Sequence, residues 1–387
     1  MAARKPISLV KGGDAAGNIY PDEPNRFREE DIDPFLAWCV KQGTSDISIQ
    51  TERVIYNDIS GTLYPATHRV MDASDMQSFL GKIYGSDASA RLASGRDLDV
   101  SYEVRPDRYS RIRFRVNITA IQAKGRDAAQ ITMRSLPTEP PKLSDLNIEQ
   151  HIIDNWAPRM GMVVVTGPTG SGKSTLLAAG NRMLMERPEG CGKMLTYEAP
   201  IEFTYDTIRS PRSLVSQSEI PRHLPDFAAG VRNALRRKPN IIMVGEARDR
   251  ETISAAIEAA QTGHAVYTTT HTTGVSSTVR RMISSFEKEE RGERAYALME
   301  TLRMIVTQVL VPKVSGGRMG IREWMVFPDD VREKLLDMDI DEWTNEIERM
   351  IPRYGQTMVQ TATKAFEEGL ISKRHYLLLT GAGGGGH

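Results

Sequence analysis

The run Gly167-Pro168-Thr169-Gly170-Ser171-Gly172-Lys173-Ser174 constrains this chain more than any other feature. It fits G-x-x-x-x-G-K-[ST], and its surroundings fit too. An apolar stretch, Met162 to Thr166, leads in and a helical stretch, Thr175 to Glu186, leads out. Glycines let such a loop curl until successive backbone N–H groups point at one centre, an anion-binding nest at a helix N-terminus. Lys173 is expected to reach the β- and γ-phosphates of a nucleotide, and Ser174 to offer its hydroxyl to Mg²⁺. The expected nucleotide contacts are Gly167, Pro168, Thr169, Gly170, Ser171, Gly172, Lys173, Ser174 and Thr175. Kinases, GTPases, helicases and motors all use such loops, so the motif does not select among them.

A second acidic element narrows the choice. Ile241 to Gly245 is an apolar strand ending at Glu246. Such a strand is expected beside the phosphate-loop strand, with its carboxylate facing the γ-phosphate to orient or activate water. An Asp that holds Mg²⁺ is commoner there, so a Glu after Gly245 marks a subgroup.

The rest of the chain falls into two halves, as 387 residues suggest. Residues 1–30 carry no apolar period and read as a mobile arm. The segment 31–138 reads as an α+β domain with a mostly antiparallel sheet. Its helices are expected after Asp33, with Pro34 in the first turn, and over Ala73 to Tyr84. Strands are expected near residues 43–49, 54–56, 61–64, 98–104, 111–121 and 130–135. Pro137, Pro140 and Pro141 mark a linker. Between 142 and 330, apolar runs at Met162 to Thr166, Met194 to Tyr197, Ile241 to Gly245 and Ala265 to Thr270 alternate with helical stretches. That is the rhythm of a parallel α/β domain. Arg294 to Gln308 reads as helix, followed by a hairpin around Gly316-Gly317. Residues 331–380 read as a helical extension and 381–387 as a disordered glycine-rich tail.

Fifty acids balance fifty bases, which gives no support for a dedicated nucleic-acid binder. The run Arg232, Arg236, Arg237, Lys238 reads as a solvated helix face or a contact between subunits. Two distant cysteines, Cys39 and Cys191, point away from a metal cluster or disulfide framework and towards a reducing compartment. No apolar stretch is long enough for a signal peptide or a membrane span, so work at a membrane would require recruitment.

The stretch Gly230 to Asp249 (GVRNALRRKPNIIMVGEARD) resembles the Walker B region of the secretion superfamily ATPases. So does its continuation through Glu251-Thr252, Ala259-Ala260-Gln261-Thr262-Gly263-His264 and Thr270-His271-Thr272. The likeness is to the PilT/GspE group, which serves type IV pili and type II and IV secretion. Gln217 to Leu224 (QSEIPRHL) resembles the DotB/TraJ branch of type IVB secretion and conjugation.

The resemblance implies a RecA-like ATPase domain preceded by a PAS-like domain. It implies a homohexamer that hydrolyses ATP with Mg²⁺ and works in the cytoplasm, peripherally at the inner membrane, with the components of a secretion or conjugation machine. Four catalytic elements carry over by position. Glu202 closes the acidic box Ala199-Pro200-Ile201-Glu202, whose usual first Asp is Ala199 here, with Glu198 just before it. His264 and His271 form the histidine box. The strand Arg113-Phe114-Arg115-Val116-Asn117 and the next strand supply arginines for the γ-phosphate, Arg115 and Arg134 first and Arg113 third. Glu246 activates water. Three other readings stay open: a pilus retraction motor of the same family, a ring that pulls nucleic acid, and a nucleotide-gated ring with little turnover.

Overall fold

The computed structural model describes residues 19–108 and 110–381. Contacts divide the chain into two units, Met1–Thr138 and Glu139–His387, and the division falls between Pro137 and Pro140.

The first unit runs α1 (Glu29–Lys41), β1 (Asp46–Gln50), β2 (Tyr56–Ile59), β3 (Thr62–Pro65), α2 (Ala73–Ile83), α3 (Ala88–Ala93), β4 (Leu98–Val104), β5 (Ile112–Ala123) and β6 (Arg126–Leu136). Its six strands form one antiparallel sheet in the order β3-β2-β1-β6-β5-β4. Alternation along β5 sends Phe114, Val116 and Ile118 into a core shared with Ile32 and Phe35 of α1 and Phe79 of α2. Two expectations shift. Helix α1 begins at Glu29 rather than after Asp33, because Glu29, Glu30 and Asp31 suit the positive end of a helix dipole. Pro34 then lies inside the helix. Only residues 1–18 of the expected arm lie outside the described residues. The remainder is held down: Phe27 is fully buried, the Tyr20 N–H donates to the Ala66 carbonyl, and Glu23 accepts from the backbone N–H groups of His68 and Arg69.

The second unit opens with a short helix α4 (Gln150–Asp154) and then builds a sheet and its crossover helices. Its strands are β7 (Gly161–Thr166), β8 (Gly192–Glu198), β9 (Ser213–Glu219), β10 (Ile241–Val244), β11 (Ala265–Thr270), β12 (Leu302–Pro312), β13 (Arg318–Val326) and β14 (Gly355–Gln356). The helices are α5 (Lys173–Glu186), α6 (Phe227–Leu235), α7 (Arg250–Gln261), α8 (Val275–Ser284), α9 (Arg291–Thr301), α10 (Asp329–Leu336), α11 (Trp343–Tyr354), α12 (Met358–Glu367) and α13 (Lys373–Thr380). The sheet order is β14-β13-β12-β7-β11-β10-β8-β9. Strands β12 to β9 along that order are parallel, and β13 and β14 add antiparallel at one edge.

Three expectations change here. The strand of Glu246 is not beside β7, because β11 stands between β7 and β10. The helix expected to reach Gln308 stops at Thr301. From Leu302 the chain is strand β12, paired in parallel with β7 and buried on both faces, so its continuous apolar run lacks the alternation that marks a strand. Strand β9 was not expected, since its sequence SLVSQSE is mostly polar, as suits the edge of a sheet.

The segment beyond 330 is built into this unit. Trp343, Ile347, Met350 and Ile351 of α11 share one core with Val279 and Met282 of α8 and Leu298 of α9. Strand β14 adds to β13 so tightly that a Cβ on Gly355 would lie 1.8 Å from the Trp324 carbonyl oxygen. Trp343→Ala should therefore destabilise the unit by about 3–5 kcal/mol, read by urea denaturation. A change near zero would mean that α11 is a detachable appendage. Residues 382–387, most of the expected glycine-rich tail, lie outside the described residues.

Candidate active site

In an open parallel sheet, ligands bind beyond the carboxyl ends of the strands. The loops after β7, β8, β10 and β11 all leave from that end, and they carry the phosphate loop, Glu202, Glu246 and His271 respectively.

The phosphate loop has the backbone that its glycines permit. Gly167, Gly170 and Gly172 take φ of +143°, +76° and +80°. At Gly167 a Cβ would lie 2.2 Å from the Gln308 carbonyl oxygen and 2.7 Å from Ser171 Oγ, so no side chain fits there. Pro168, Thr169 and Gly170 are exposed at the rim, while Ser174 and Thr175 are half-buried in the first turn of α5. Ser171 Oγ is buried without a hydrogen-bond partner, as suits a cradle built for an anion.

Lys173 is 8% exposed. Its Nζ donates to the carbonyl oxygens of Gly167 (2.8 Å) and Pro168 (3.0 Å). Burial lowers its pKa below the ordinary lysine value, and the charges of Glu246 and Glu202 pull it back up. Both carboxylates therefore act electrostatically on this ammonium.

His271 links the lysine to Glu246. Its Nδ1 is 3.4 Å from Lys173 Nζ and its Nε2 is 3.3 Å from Glu246 Oε1. An ammonium has no lone pair, so Nδ1 must be the acceptor, and the ring proton sits on Nε2 facing the carboxylate. The neutral Nε2–H tautomer satisfies both neighbours.

Threonine hydroxyls, which no motif announced, fix the loops that carry these groups. The Thr272 N–H donates to Thr166 Oγ1 (2.9 Å), and Thr272 Oγ1 lies 2.6 Å from Thr278 Oγ1. The turn after β11 is thus tied to the end of β7. Thr269 Oγ1 donates to the Gly245 carbonyl (2.6 Å), and the Ala247 N–H donates to the Thr269 carbonyl (2.9 Å), which holds Glu246 between them.

Glu198 is buried at the end of β8, where its Oε1 accepts from Thr196 Oγ1 (2.6 Å) and Gln217 Nε2 (3.0 Å). Gln217 also bonds the Phe203 carbonyl and the Tyr205 N–H, so Glu198 helps shape the loop of Glu202.

His264 does not join the site. It precedes β11, at the opposite end from His271, and six strand residues put about 20 Å between the two ends. Its Nδ1 lies 3.0 Å from the Ala259 carbonyl oxygen and 3.2 Å from Thr262 Oγ1 at the end of α7. The ring finishes a helix there. It also lines a cavity of about 520 Å³ with Arg187, Cys191 and Asn240.

In the first unit, Arg115 and Arg134 are direct cross-strand partners on β5 and β6. Arg115 pairs with Asp99 (2.7 Å) and Arg134 with Asp46 (2.8 Å); the Arg134 side chain is 67% exposed and that of Arg115 is half-buried, at 43%. Arg113 is buried, 4.0 Å from Glu103. Arg232, Arg236 and Lys238 are exposed on and after α6, while Arg237 donates to Ser216 Oγ (2.8 Å).

Among the described residues, no group of three or more His, Cys, Asp or Glu is placed to hold a metal ion, and no helix is long and apolar enough to cross a membrane.

Known proteins carry the same architecture. The crystal structure of the Legionella pneumophila ATPase DotB is 49% identical, with a TM-score of 0.90 over 94% of this chain and 99% of that one. That of the Yersinia pseudotuberculosis ATPase DotB is 34% identical, with a TM-score of 0.76 over 92% and 95%. The type IV pilus retractation ATPase PilT of Pseudomonas aeruginosa is 32% identical over 348 residues, 89% of this chain and 96% of that protein. The profile described as "Type II/IV secretion system protein" matches residues 27–378, which takes in nearly every element described above, and the chain belongs to that family.

Proposed function

We propose that this protein is an ATPase that powers a type IVB secretion or conjugation machine, acting as a homohexamer in the cytoplasm at the inner membrane. The observation that carries the enzymatic part is the line Lys173–His271–Glu246 beside a phosphate loop. The 49% identity to a DotB ATPase over nearly the whole chain favours the type IVB branch. The identity to PilT keeps a pilus retraction motor as the second reading.

ATP is the substrate in this reading. The loop N–H groups and Lys173 bind its phosphates, and γ-phosphate oxygens would take the place of the carbonyls that Lys173 now contacts. Glu246 accepts a proton from the attacking water, and His271 keeps that carboxylate oriented while sensing Lys173 on its other nitrogen. The residues that would hold Mg²⁺ are Ser174 and Glu202, an oxygen donor set that suits a hard cation. The ion would supply positive charge at the phosphates. Arg115 and Arg134 would neutralise charge that builds on the γ-phosphate, from the same or an adjacent subunit.

The test is Mg²⁺-dependent ATP hydrolysis per subunit over a wide range of protein concentration, with and without DNA. Specific activity that climbs as subunits associate, indifferent to DNA, is expected. A flat profile would remove the ring. Strong DNA stimulation with steep salt dependence would replace the secretion reading with a nucleic-acid motor.

A further inference from the structure

Gln308 on β12 and Arg322 on β13 are cross-strand partners, 3% and 2% exposed. Arg322 Nε donates to Gln308 Oε1 (2.7 Å), and Gln308 Nε2 donates to the Ser171 carbonyl in the phosphate loop (2.7 Å). A lone amide could face either way. A guanidinium only donates, so it holds the amide oxygen towards itself and leaves the NH₂ for the loop.

The consequence follows from peptide geometry. A planar trans peptide points its C=O and the next N–H in opposite directions. With the Ser171 carbonyl held by Gln308, the Gly172 N–H points away from β12. Phosphate loops meet their anion through such N–H groups. A flipped peptide would present a carbonyl to the phosphates instead, oxygen against oxygen.

The surroundings leave little room for error. A Cβ at Gly172 would lie 3.0 Å from Gln308 Nε2. One at Gly320 would lie 2.6 Å from Arg322 Nη2 and 2.8 Å from Gln308 Oε1. Three further hydrogen bonds from Arg322 go to the segment 146–149. Nη1 reaches the Asn147 carbonyl (3.0 Å) and Glu149 Oε2 (3.1 Å), and Nη2 reaches the Leu146 carbonyl (3.1 Å). Burial lowers the pKa of this guanidinium, and Glu149 works against that. A buried cation is tolerated when its N–H groups are used in this way. The Arg322 carbonyl in turn accepts from Thr361 Oγ1 of α12 (2.6 Å).

We propose that Arg322 is a positioning residue of the nucleotide site. It acts through Gln308 to keep the Ser171–Gly172 peptide turned with its N–H towards the phosphates, and it ties that peptide to the segment 146–149. The inference rests on the ATPase reading, which it deepens.

Gln308→Glu separates positioning from packing. The carboxylate keeps a partner in Arg322 but has no N–H for the Ser171 carbonyl, and it sets oxygen against oxygen. Titrating a fluorescent ADP analogue onto the full chain should show affinity reduced about tenfold, with KM for ATP rising in step and the thermal midpoint close to wild type. Arg322→Lys, which keeps the charge but loses the fork, should fall between the two. Wild-type affinity in folded Gln308→Glu overturns the proposal. So does a large drop in thermal midpoint that accounts for the lost binding, since the pair would then be packing alone. If the wild type binds the analogue but hydrolyses no ATP, the ATPase reading fails, and the affinity comparison still decides the role of Arg322.

Discussion

Glu246→Gln is expected to lower ATP hydrolysis by about 10²–10⁴-fold, the range ascribed to general-base catalysis, while ADP binding stays near wild type. The substitution is close to isosteric. A glutamine oxygen can still accept from the Nε2–H of His271, now 3.3 Å from Glu246 Oε1, so the loop after β10 keeps its shape. What the amide cannot do is take a proton from water. In the proposed reading phosphate binding belongs to the loop and to Lys173, which the change does not touch except by removing one nearby negative charge. Hydrolysis is read by phosphate release and binding by ADP titration. An unchanged hydrolysis rate would sink the assignment of Glu246 and favour the nucleotide-gated ring with little turnover.

Arg115→Ala and Arg134→Ala should each lower hydrolysis by about 10³-fold, the lower end of what a guanidinium on the γ-phosphate contributes, with little loss of stability. The stability half of this expectation comes from the sheet. Like charges placed directly opposite on neighbouring strands repel, and Arg115 and Arg134 are so placed. Each is offset by an ion pair at the surface, with Asp99 (part-buried) and with Asp46, and surface pairs contribute about 0–1 kcal/mol. Removing either arginine therefore deletes a repulsion along with an attraction. Hydrolysis rates set against thermal midpoints measure both halves. A variant as active as wild type would show that its arginine is an ordinary solvated residue of the sheet.

Elements that obey a local rule could be read from the chain directly. β4 and β11 fall where their apolar patterns put them, and α2 differs only at its last residue. The phosphate loop is local in the same sense, since its N–H groups come from consecutive residues. The separation of His264 from His271 was also legible in the sequence. Two histidines that flank a six-residue strand cannot both stand at one end of it, because a strand extends by about 3.3 Å per residue.

Other features were out of reach because they depend on which strands become neighbours. Leu302 to Gln308 has a composition that helix and buried strand both accept, and pairing with β7 decided for strand. The strand of Glu246 was expected beside β7, and β11 stands between them. Gln308 lies 137 positions from the Ser171 carbonyl that it holds.

The sequence by itself determined that this chain carries a phosphate-loop motif, where the motif lies, and which secretion family it resembles. Those properties reside in short runs whose backbone conformation and chemistry are local. Only the tertiary structure decided which hydroxyls fix the loops around Lys173 and Glu246, and that a buried arginine stands behind the phosphate loop. Each of those depends on side chains that meet only after distant strands have paired, and pairing is settled by burial summed over the whole sheet rather than by any one segment.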